Sequence, residues 1–166
     1  MNKIFYLLFL CVSIGYAQNT APEGAQKLIT EPAGATAAGD KLLKKEDFKA
    51  REGRMLVDSR SCRITNYDTT STVLVSVVCQ QKAFNQLGVE KINEMIRLAN
   101  DKVRNTVQAQ HQYKPTEIRM AYLPDSNDWS LTSAYTVLDE NGHAKKNLLS
   151  LDFDANGDFA VMKRIF

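Results

Sequence analysis

Apolar residues recur at intervals of three and four between residues 89 and 107, which predicts one long amphipathic helix. Polar residues, among them Asn93 and Arg104, take the other faces of this helix. Pro115 ends any continuation, because the residue before a proline is forced toward extended backbone. The apolar stripe consists of Val89, Ile92, Ile96, Ala99, Val103 and Val107.

From Thr116 onward the apolar period changes to two, which predicts β-strands. Four alternating segments are separated by polar turns. Two of these turns contain Asn-Gly, at 141–142 and 156–157, a strong hairpin signal. Because hairpins join antiparallel strands, the segments predict a four-stranded antiparallel meander. Its alternating positions are Ile118, Met120, Tyr122, Trp129, Leu131, Tyr135, Val137, Leu149, Leu151, Phe153, Phe159, Val161 and Ile165.

A strand pair is expected before the helix, at residues 54–67 and 72–80 with a turn at 68–71. The first of these strands is interrupted by Ser59-Arg60-Ser61, and a short amphipathic helix is expected ahead of it at 41–51. A helix with one apolar stripe and a sheet with one apolar face bury each other. The expected fold class is therefore α+β, with one long helix packed on a four-stranded meander that follows a strand pair.

This order of elements over residues 54–166 resembles the cystatin-like and monellin-like α+β folds. The resemblance implies a sheet that wraps around one long helix. Cystatin inhibitors use a Gln-x-Val-x-Gly hairpin and a Pro-Trp loop. The corresponding turns here read Asp139-Glu140-Asn141-Gly142-His143 and Asp125-Ser126-Asn127-Asp128-Trp129. The resemblance therefore extends to the fold and does not imply protease inhibition.

The N-terminus has the three parts of a secretory signal peptide, predicted at residues 1–17. Lys3 supplies the positive charge, residues 4–14 are almost wholly apolar, and Gly15 and Ala17 are the small residues of a cleavage site. The apolar run is shorter than the roughly 20 residues that span a bilayer, and no later stretch predicts a transmembrane segment.

Residues 18–40 are rich in Ala, Gly, Pro and Thr and predict a flexible linker. Residues 41–166 are then expected to form a single α+β domain.

Cleavage after Ala17 would leave two of the three cysteines, Cys62 and Cys79, in an oxidising compartment. These two residues are expected to form a disulfide, which stabilises a domain of this size by about 3 kcal/mol. In a hairpin centred on 68–71 they lie at similar distances from the turn, which fits a cross-strand bridge. A bridge between other elements is the alternative.

Charge excludes few classes of function. Without Lys3 the chain has 20 basic and 19 acidic residues, so it lacks the basic excess of a nucleic-acid-binding protein. One local group of basic residues is interleaved with Glu46, Asp47 and Glu52, which is typical of a solvated helix face. This group consists of Lys41, Lys44, Lys45, Lys49, Arg51 and Arg54.

Residues 152–158 match the first half of a calcium-binding loop, with Asp152, Asp154, Asn156 and Asp158 as candidate oxygen ligands. The twelfth position is Lys163, where such a loop needs a bidentate glutamate. An Asn-Gly hairpin turn accounts for the same residues, so calcium is not expected.

Catalysis and cofactors have little support in the sequence. His111 and His143 are too few for a histidine metal site, and the chain has no Gly-x-Ser-x-Gly elbow. We therefore expect no bound cofactor, and the sequence favours a non-catalytic function over an enzymatic one without deciding between them.

Taken together, these features predict an exported non-catalytic binding or assembly module of a bacterial cell envelope, periplasmic or secreted, that acts through protein–protein contact. The last strand, with Phe159, Val161, Lys163 and Ile165, could accept a partner strand. The charge of Lys163 equally favours protection of this edge.

Two alternatives to this interpretation stay open. One is a small enzyme or ligand-binding protein with a pocket between helix and sheet near Tyr122, Ser133 and Tyr135. The other is a protease inhibitor with unconventional loops.

Overall fold

The computed structural model describes residues 42–67, 69–108 and 110–164. The predicted signal peptide at 1–17, the predicted linker at 18–40 and Ile165 lie outside these residues, as does the side chain of His111. The elements are β1 (Lys49–Arg51), β2 (Arg54–Asn66), β3 (Thr69–Gln80), α1 (Gln81–Asn105), β4 (Lys114–Leu123), β5 (Asp128–Leu138), β6 (Ala144–Phe153) and β7 (Phe159–Arg164), with 3₁₀ turns at Lys45–Asp47 and Gln110–Gln112.

The described strands form one seven-stranded sheet in the order β1-β2-β3-β4-β5-β6-β7. The four-stranded meander from β4 to β7 is antiparallel throughout, as predicted. The strand pair β2–β3 is continuous with it, because β3 and β4 pair in parallel on either side of the α1 crossover. The α+β class is confirmed. The expected separation into a meander and a pair is wrong, since all seven strands share one sheet.

The predicted apolar stripe faces the sheet. Ile92, Ile96, Ala99 and Val103 are all fully buried. The helix begins at Gln81, earlier than the stripe indicates. The apolar stripe, which starts at Val89, did not predict the residues ahead of it as helix, because a break separates the two helical segments of α1.

Gly88 forms this break, with a φ of 72° inside α1. The turn ahead of it buries Ala83 and Phe84 in the core. Phe84 packs against Phe48, with the ring centroids 4.6 Å apart. A glycine adopts this backbone conformation without the steric cost of a Cβ, so α1 changes direction here and still buries both segments.

The short helix expected at 41–51 is wrong. The described part of that segment contains only the 3₁₀ turn Lys45–Asp47, followed by β1. Leu43 and Phe48 are both buried, but positions five apart lie about 140° apart around a helix, so one helix face could not bury both. The main chain at Leu43 is instead hydrogen-bonded to the side chain of Asn93 on α1.

The β2–β3 hairpin turns between Asn66 and Thr69, earlier than the predicted 68–71. β2 continues through Ser59-Arg60-Ser61, and the interruption expected there is reduced to a shift of register between Val57 and Arg60. The twist of a strand can absorb such an irregularity without ending the ladder.

This register excludes the expected disulfide. Cys62 lies opposite Val73 and Cys79 opposite Met55, so the two cysteines are about six residue positions, or roughly 20 Å, apart along the hairpin. A disulfide requires Cα atoms within about 7 Å. Both cysteines are free thiols, and both are buried.

The core lies between α1 and the inner face of the sheet. Trp129, Leu131, Leu151 and Phe153 from the meander are fully buried there and join the stripe of α1 in one cluster. The described residues belong to one compact unit, Glu31–Phe166. They include no helix that is both long and apolar enough to cross a membrane.

Candidate functional site

The predicted partner edge lies on β7, which is the last strand of the described sheet and pairs only with β6. Val161 lies opposite Asp152 and is 41% exposed. Lys163 forms an ion pair with Asp152, with Nζ and Oδ2 2.9 Å apart. The outer side of β7 therefore has no strand partner in the described part of the chain.

The residues predicted for this edge do not share one face. A register shift between Asp152 and Phe153 places Phe159 opposite Phe153, on the inner side. The Phe159 ring packs against the core and lies 4.1 Å from Lys102 Nζ of α1. Val161 lies on the opposite side of the strand, so β7 presents Val161 outward and uses Phe159 in the core.

The face of the sheet that points away from α1, here called the helix-free face, carries several exposed leucines among polar residues. Leu74 lies between the fully buried Val73 and Val75, and Leu148 precedes the buried Leu149. Because successive side chains of a strand point to opposite faces, both leucines point away from α1. Of the six large apolar side chains exposed among the described residues, five lie on the helix-free face: Leu74, Leu123, Leu138, Leu148 and Val161.

A groove of about 530 Å³ crosses this face over β2 to β5. Leu56, Val78 and Leu123 supply apolar lining, and Ser76 and Thr132 supply short polar side chains. Small polar and aliphatic residues leave a sheet face flat, so a second surface can approach the backbone closely.

Two ion pairs lie on the helix-free face. Arg119 Nε and Glu117 Oε1 are 2.6 Å apart. Asp152 pairs with Lys163 and also accepts a hydrogen bond from the Ser130 hydroxyl at 3.2 Å. These two pairs neutralise four of the charges on this face.

The three residues predicted to line a pocket between helix and sheet are not brought together. Tyr122 lies at one end of the sheet, and its hydroxyl donates to Asn127 Oδ1 at 2.6 Å. Ser133 is fully buried, and Tyr135 is only 4% exposed with its ring 5.3 Å from that of Tyr113. Tyr122 pairs with a residue four positions from Ser133, roughly 13 Å along the strand.

The interior does contain a polar network that the sequence interpretation missed. Asn66 Oδ1 accepts hydrogen bonds from Asn100 Nδ2 at 2.9 Å and from Arg104 at 3.2 Å. The Tyr113 hydroxyl donates to Asn100 Oδ1 at 3.2 Å. Arg104 also pairs with Asp101 at 3.3 Å. These contacts tie the tip of the β2–β3 hairpin to the C-terminal half of α1.

The electrostatics of this network favour a structural role. Burial raises the pKa of the Tyr113 hydroxyl above its ordinary value. A tyrosine that keeps its proton at neutral pH donates hydrogen bonds and does not act as a base. One sequence signal could have indicated buried polar residues on α1, since Asn93 and Asn100 are seven residues apart and share a helix face, although Asn93 contacts Leu43 rather than this network.

The two thiols are not suited to nucleophilic chemistry. Burial raises the pKa of Cys62 and of Cys79 to about 11. Thiolate is the reactive form of cysteine, so both side chains stay protonated and unreactive at neutral pH. The Cys79 thiol points toward the Met55 carbonyl at 3.8 Å.

The carboxylates of the predicted calcium-like segment have separate partners. Asp154 Oδ1 accepts hydrogen bonds from the backbone N–H groups of Asn156 and Asp158, both at 2.9 Å. Asp158 pairs with Lys91 of α1 at 3.2 Å, and Asp152 pairs with a lysine of β7. Within the described ranges, no group of three or more His, Cys, Asp or Glu side chains could hold a metal ion. That calcium does not bind stays a prediction.

In comparisons with known proteins, no family model, no curated protein and no solved structure matches this chain. The resemblance to cystatin-like and monellin-like folds therefore stays a prediction from the order of elements.

Proposed function

We propose that this protein is an exported non-catalytic binding module that contacts a protein partner through the helix-free face and the adjacent edge strand β7. The observation that carries the proposal is the collection of exposed large apolar side chains on this one face. Exposed large apolar side chains that share one face favour an interaction site, because leaving them in water is unfavourable.

The size of the helix-free face supports this function. Strands about 4.8 Å apart and 10 to 13 residues long, as in β2 to β6, give a face of roughly 600 to 900 Å². A standard protein–protein interface covers about 800 Å² on each partner. The face is therefore large enough for a specific contact without any additional domain.

The edge strand supports the same partner site. Val161 is exposed at the margin where β7 meets the helix-free face. A partner strand added to β7 would extend this face and cover more of its apolar surface. Export to the cell envelope rests on the predicted signal peptide at 1–17. The predicted linker at 18–40 would let the module contact a partner at some distance from the start of the chain.

A catalytic or small-ligand function based on a pocket between helix and sheet near Tyr122, Ser133 and Tyr135 has less support. It needs an accessible cavity with polar groups, whereas Ser133 is sealed in the interior and the described carboxylates are mostly exposed or paired. No observation on the described residues favours this alternative.

Site-specific photo-crosslinking in cells of the source organism tests the proposal. A photoreactive amino acid at Leu148 or Val161 should crosslink one reproducible partner, which mass spectrometry identifies. The same amino acid at Gln86 or Asn105, exposed positions on α1, provides the matched control. Crosslinking that is equal at all four positions, or absent from Leu148 and Val161, contradicts the proposal.

Substitutions provide an independent test. Leu74→Asp combined with Leu148→Asp should leave the fold intact, because both side chains are exposed, and should abolish recovery of the crosslinked partner. Val161→Pro tests strand addition at β7 separately. Gln86→Asp adds a negative charge on α1 and should have no effect. Unchanged recovery with the double variant would reject the helix-free face as the contact.

A further inference from the structure

A cleft of about 580 Å³ lies where the segment 42–44, β2 and α1 meet. Four cationic side chains line it: Lys44, Arg60, Arg63 and Arg97. Its other lining residues are neutral: Leu42, Leu43, Ser61 and Asn93. We call this feature the basic cleft.

The fold builds the basic cleft through a buried asparagine. Asn93 is 4% exposed, and its side chain accepts the Leu43 N–H at 3.2 Å and donates to the Leu43 carbonyl at 2.8 Å. This two-way contact fixes the segment 42–44 against α1 and thereby positions Lys44. β1 pairs only with the first residues of β2, so Arg60 and Arg63 lie where β1 no longer covers the strand.

The charges in the basic cleft are only partly neutralised. Lys44 contacts Glu46 at 3.7 Å, where both side chains are largely exposed. Arg60 Nε lies 3.4 Å from Asp47. Arg63 and Arg97 form no ion pair or side-chain hydrogen bond with any other residue that the structure describes. Because two of its four cations have no ion-pair partner among the described residues, the cleft keeps a net positive charge.

This concentration of charge comes from the fold. The whole chain has a net charge of only +2. A cleft of similar size, about 620 Å³ near the end of α1, has Asp139 and Glu140 to offset Lys145. In the basic cleft, cations from three separate segments converge without a carboxylate among the lining residues.

We propose that the basic cleft binds a phosphate-bearing ligand. Guanidinium groups donate two parallel hydrogen bonds to phosphate oxygens, and three of the four cations are arginines. A doubly charged phosphate group matches the two unpaired arginines, Arg63 and Arg97, better than a single carboxylate does. The ligand is either a free phosphorylated molecule or the headgroup of a phosphorylated lipid, since the recognised chemistry is the same.

The basic cleft borders the helix-free face at Ser61, which pairs with Leu74, and lies far from Leu148 and Val161. It lies at the β2 side of the sheet next to α1, whereas β7 forms the opposite edge. Loss of partner crosslinking at Leu148 and loss of phosphate binding are therefore independent results, and either site can fail while the other stands.

Calorimetric titration of inorganic pyrophosphate into the mature chain tests this assignment. We expect saturable binding that weakens as salt increases. Arg63→Gln and Arg97→Gln should each weaken binding about tenfold, because each removes a charge-assisted contact. Arg97→Lys should weaken it less, since the charge stays and only the fork geometry is lost.

Arg119→Gln is the matched control, because it removes one exposed arginine that already has a partner in Glu117. Flotation with vesicles of phosphatidic acid or of phosphatidylcholine forms a second arm. Binding to phosphatidic acid vesicles without binding to pyrophosphate assigns the lipid headgroup, and binding to pyrophosphate alone assigns a free ligand. The proposal is overturned if neither probe binds, or if Arg119→Gln weakens binding as much as Arg97→Gln.

Discussion

At the scale of single residues, the two buried thiols link core packing to chemistry. Cys62 and Cys79 are 1% and 2% exposed and contribute to the same core cluster as the valines beside them. Burial in apolar surroundings disfavours the charged thiolate, so it raises the pKa of both groups. In this fold the cysteines act as small apolar side chains.

This shift predicts a dependence of stability on pH. In the unfolded chain both thiols ionise near their ordinary pKa of 9.0, whereas in the folded chain they keep their protons until about pH 11. The stabilisation is complete below pH 9. We expect the free energy of unfolding to fall as pH rises from about 9 to about 11, because the unfolded state releases protons first.

Urea unfolding at a series of pH values measures this fall. The variant with Cys62→Ala and Cys79→Ala should show a weaker pH dependence across the same interval. Part of the dependence should persist, since burial also raises the pKa of Tyr113. An identical dependence in the wild type and the variant would show that the thiols do not ionise differently in the two states.

At the scale of elements, the same turn occurs twice in the meander. Residues 139–143 join β5 to β6 and residues 154–158 join β6 to β7, with the shared pattern Asp-x-Asn-Gly. In both turns the glycine N–H donates to the aspartate carbonyl at 3.0 Å. Only the glycines have positive φ, 79° at Gly142 and 78° at Gly157. The Asn-Gly pairs therefore form a type I turn with a glycine bulge rather than a turn in which both residues are left-handed.

The surroundings of the two glycines differ, which gives a controlled prediction. A Cβ at Gly157 would lie 2.8 Å from Met95 Sδ and 3.0 Å from Lys91 Cε, both on α1, whereas a Cβ at Gly142 would meet no atom within 4 Å. Gly142→Ala should cost about 1 kcal/mol through backbone strain alone. Gly157→Ala should cost about 1 to 3 kcal/mol more, because it also overpacks the contact with α1.

Urea unfolding of the two variants measures the difference. Because the two turns share the Asp-x-Asn-Gly pattern and the same backbone hydrogen bonds, the difference between the two losses of unfolding free energy measures the packing of the β6–β7 turn against α1. Equal destabilisation of the two variants would mean that Met95 and Lys91 move aside without cost.

At the scale of the whole molecule, α1 joins the two parts of the sheet. It connects β3 to β4, and these strands pair in parallel, so the hairpin half and the meander half share one set of backbone hydrogen bonds. The core cluster is likewise continuous from Cys62 in β2 to Trp129 in β5. The described residues should therefore unfold as one cooperative unit.

Two probes test this cooperativity. Trp129 is the single tryptophan and is fully buried in the meander half, while the thiols of Cys62 and Cys79 lie in the hairpin half. In a chain that starts at residue 18 and so lacks Cys11, reaction with a thiol reagent and the red shift of tryptophan emission should occur at the same urea concentration. Two thiols per chain should react without added reductant. Labelling at a lower urea concentration than the emission change would show that the hairpin opens separately.

Much of the fold was predictable from local pattern. The stripe of α1 and the meander strands follow from periodicity, because burying one face of a helix or sheet fixes which positions are apolar. The segment around Leu43 was not predictable in this way, since its conformation depends on Asn93, 50 residues away. The first turn of α1 was missed because Gly88 interrupts the helical pattern.

The candidate sites were less predictable than the fold. β7 is the edge strand that the meander implied, but its register shift places Phe159 and Val161 on opposite faces. The helix-free face follows only from knowing which side α1 covers. The basic cleft combines residues as distant as Lys44 and Arg97, which no spacing in the chain relates.

The sequence alone determined the elements whose residues interact with near neighbours: the amphipathic helix, the alternating strands and the two Asn-Gly turns. The tertiary structure alone decided three other features. Cys62 and Cys79 lie opposite Val73 and Met55 rather than opposite each other, and β3 pairs with β4 in parallel. Cations from distant segments line the basic cleft together. The physical reason is that short-range pattern fixes backbone conformation and the direction of side chains. Strand register and contacts between distant residues depend instead on which arrangement of the whole chain buries its apolar surfaces in one core.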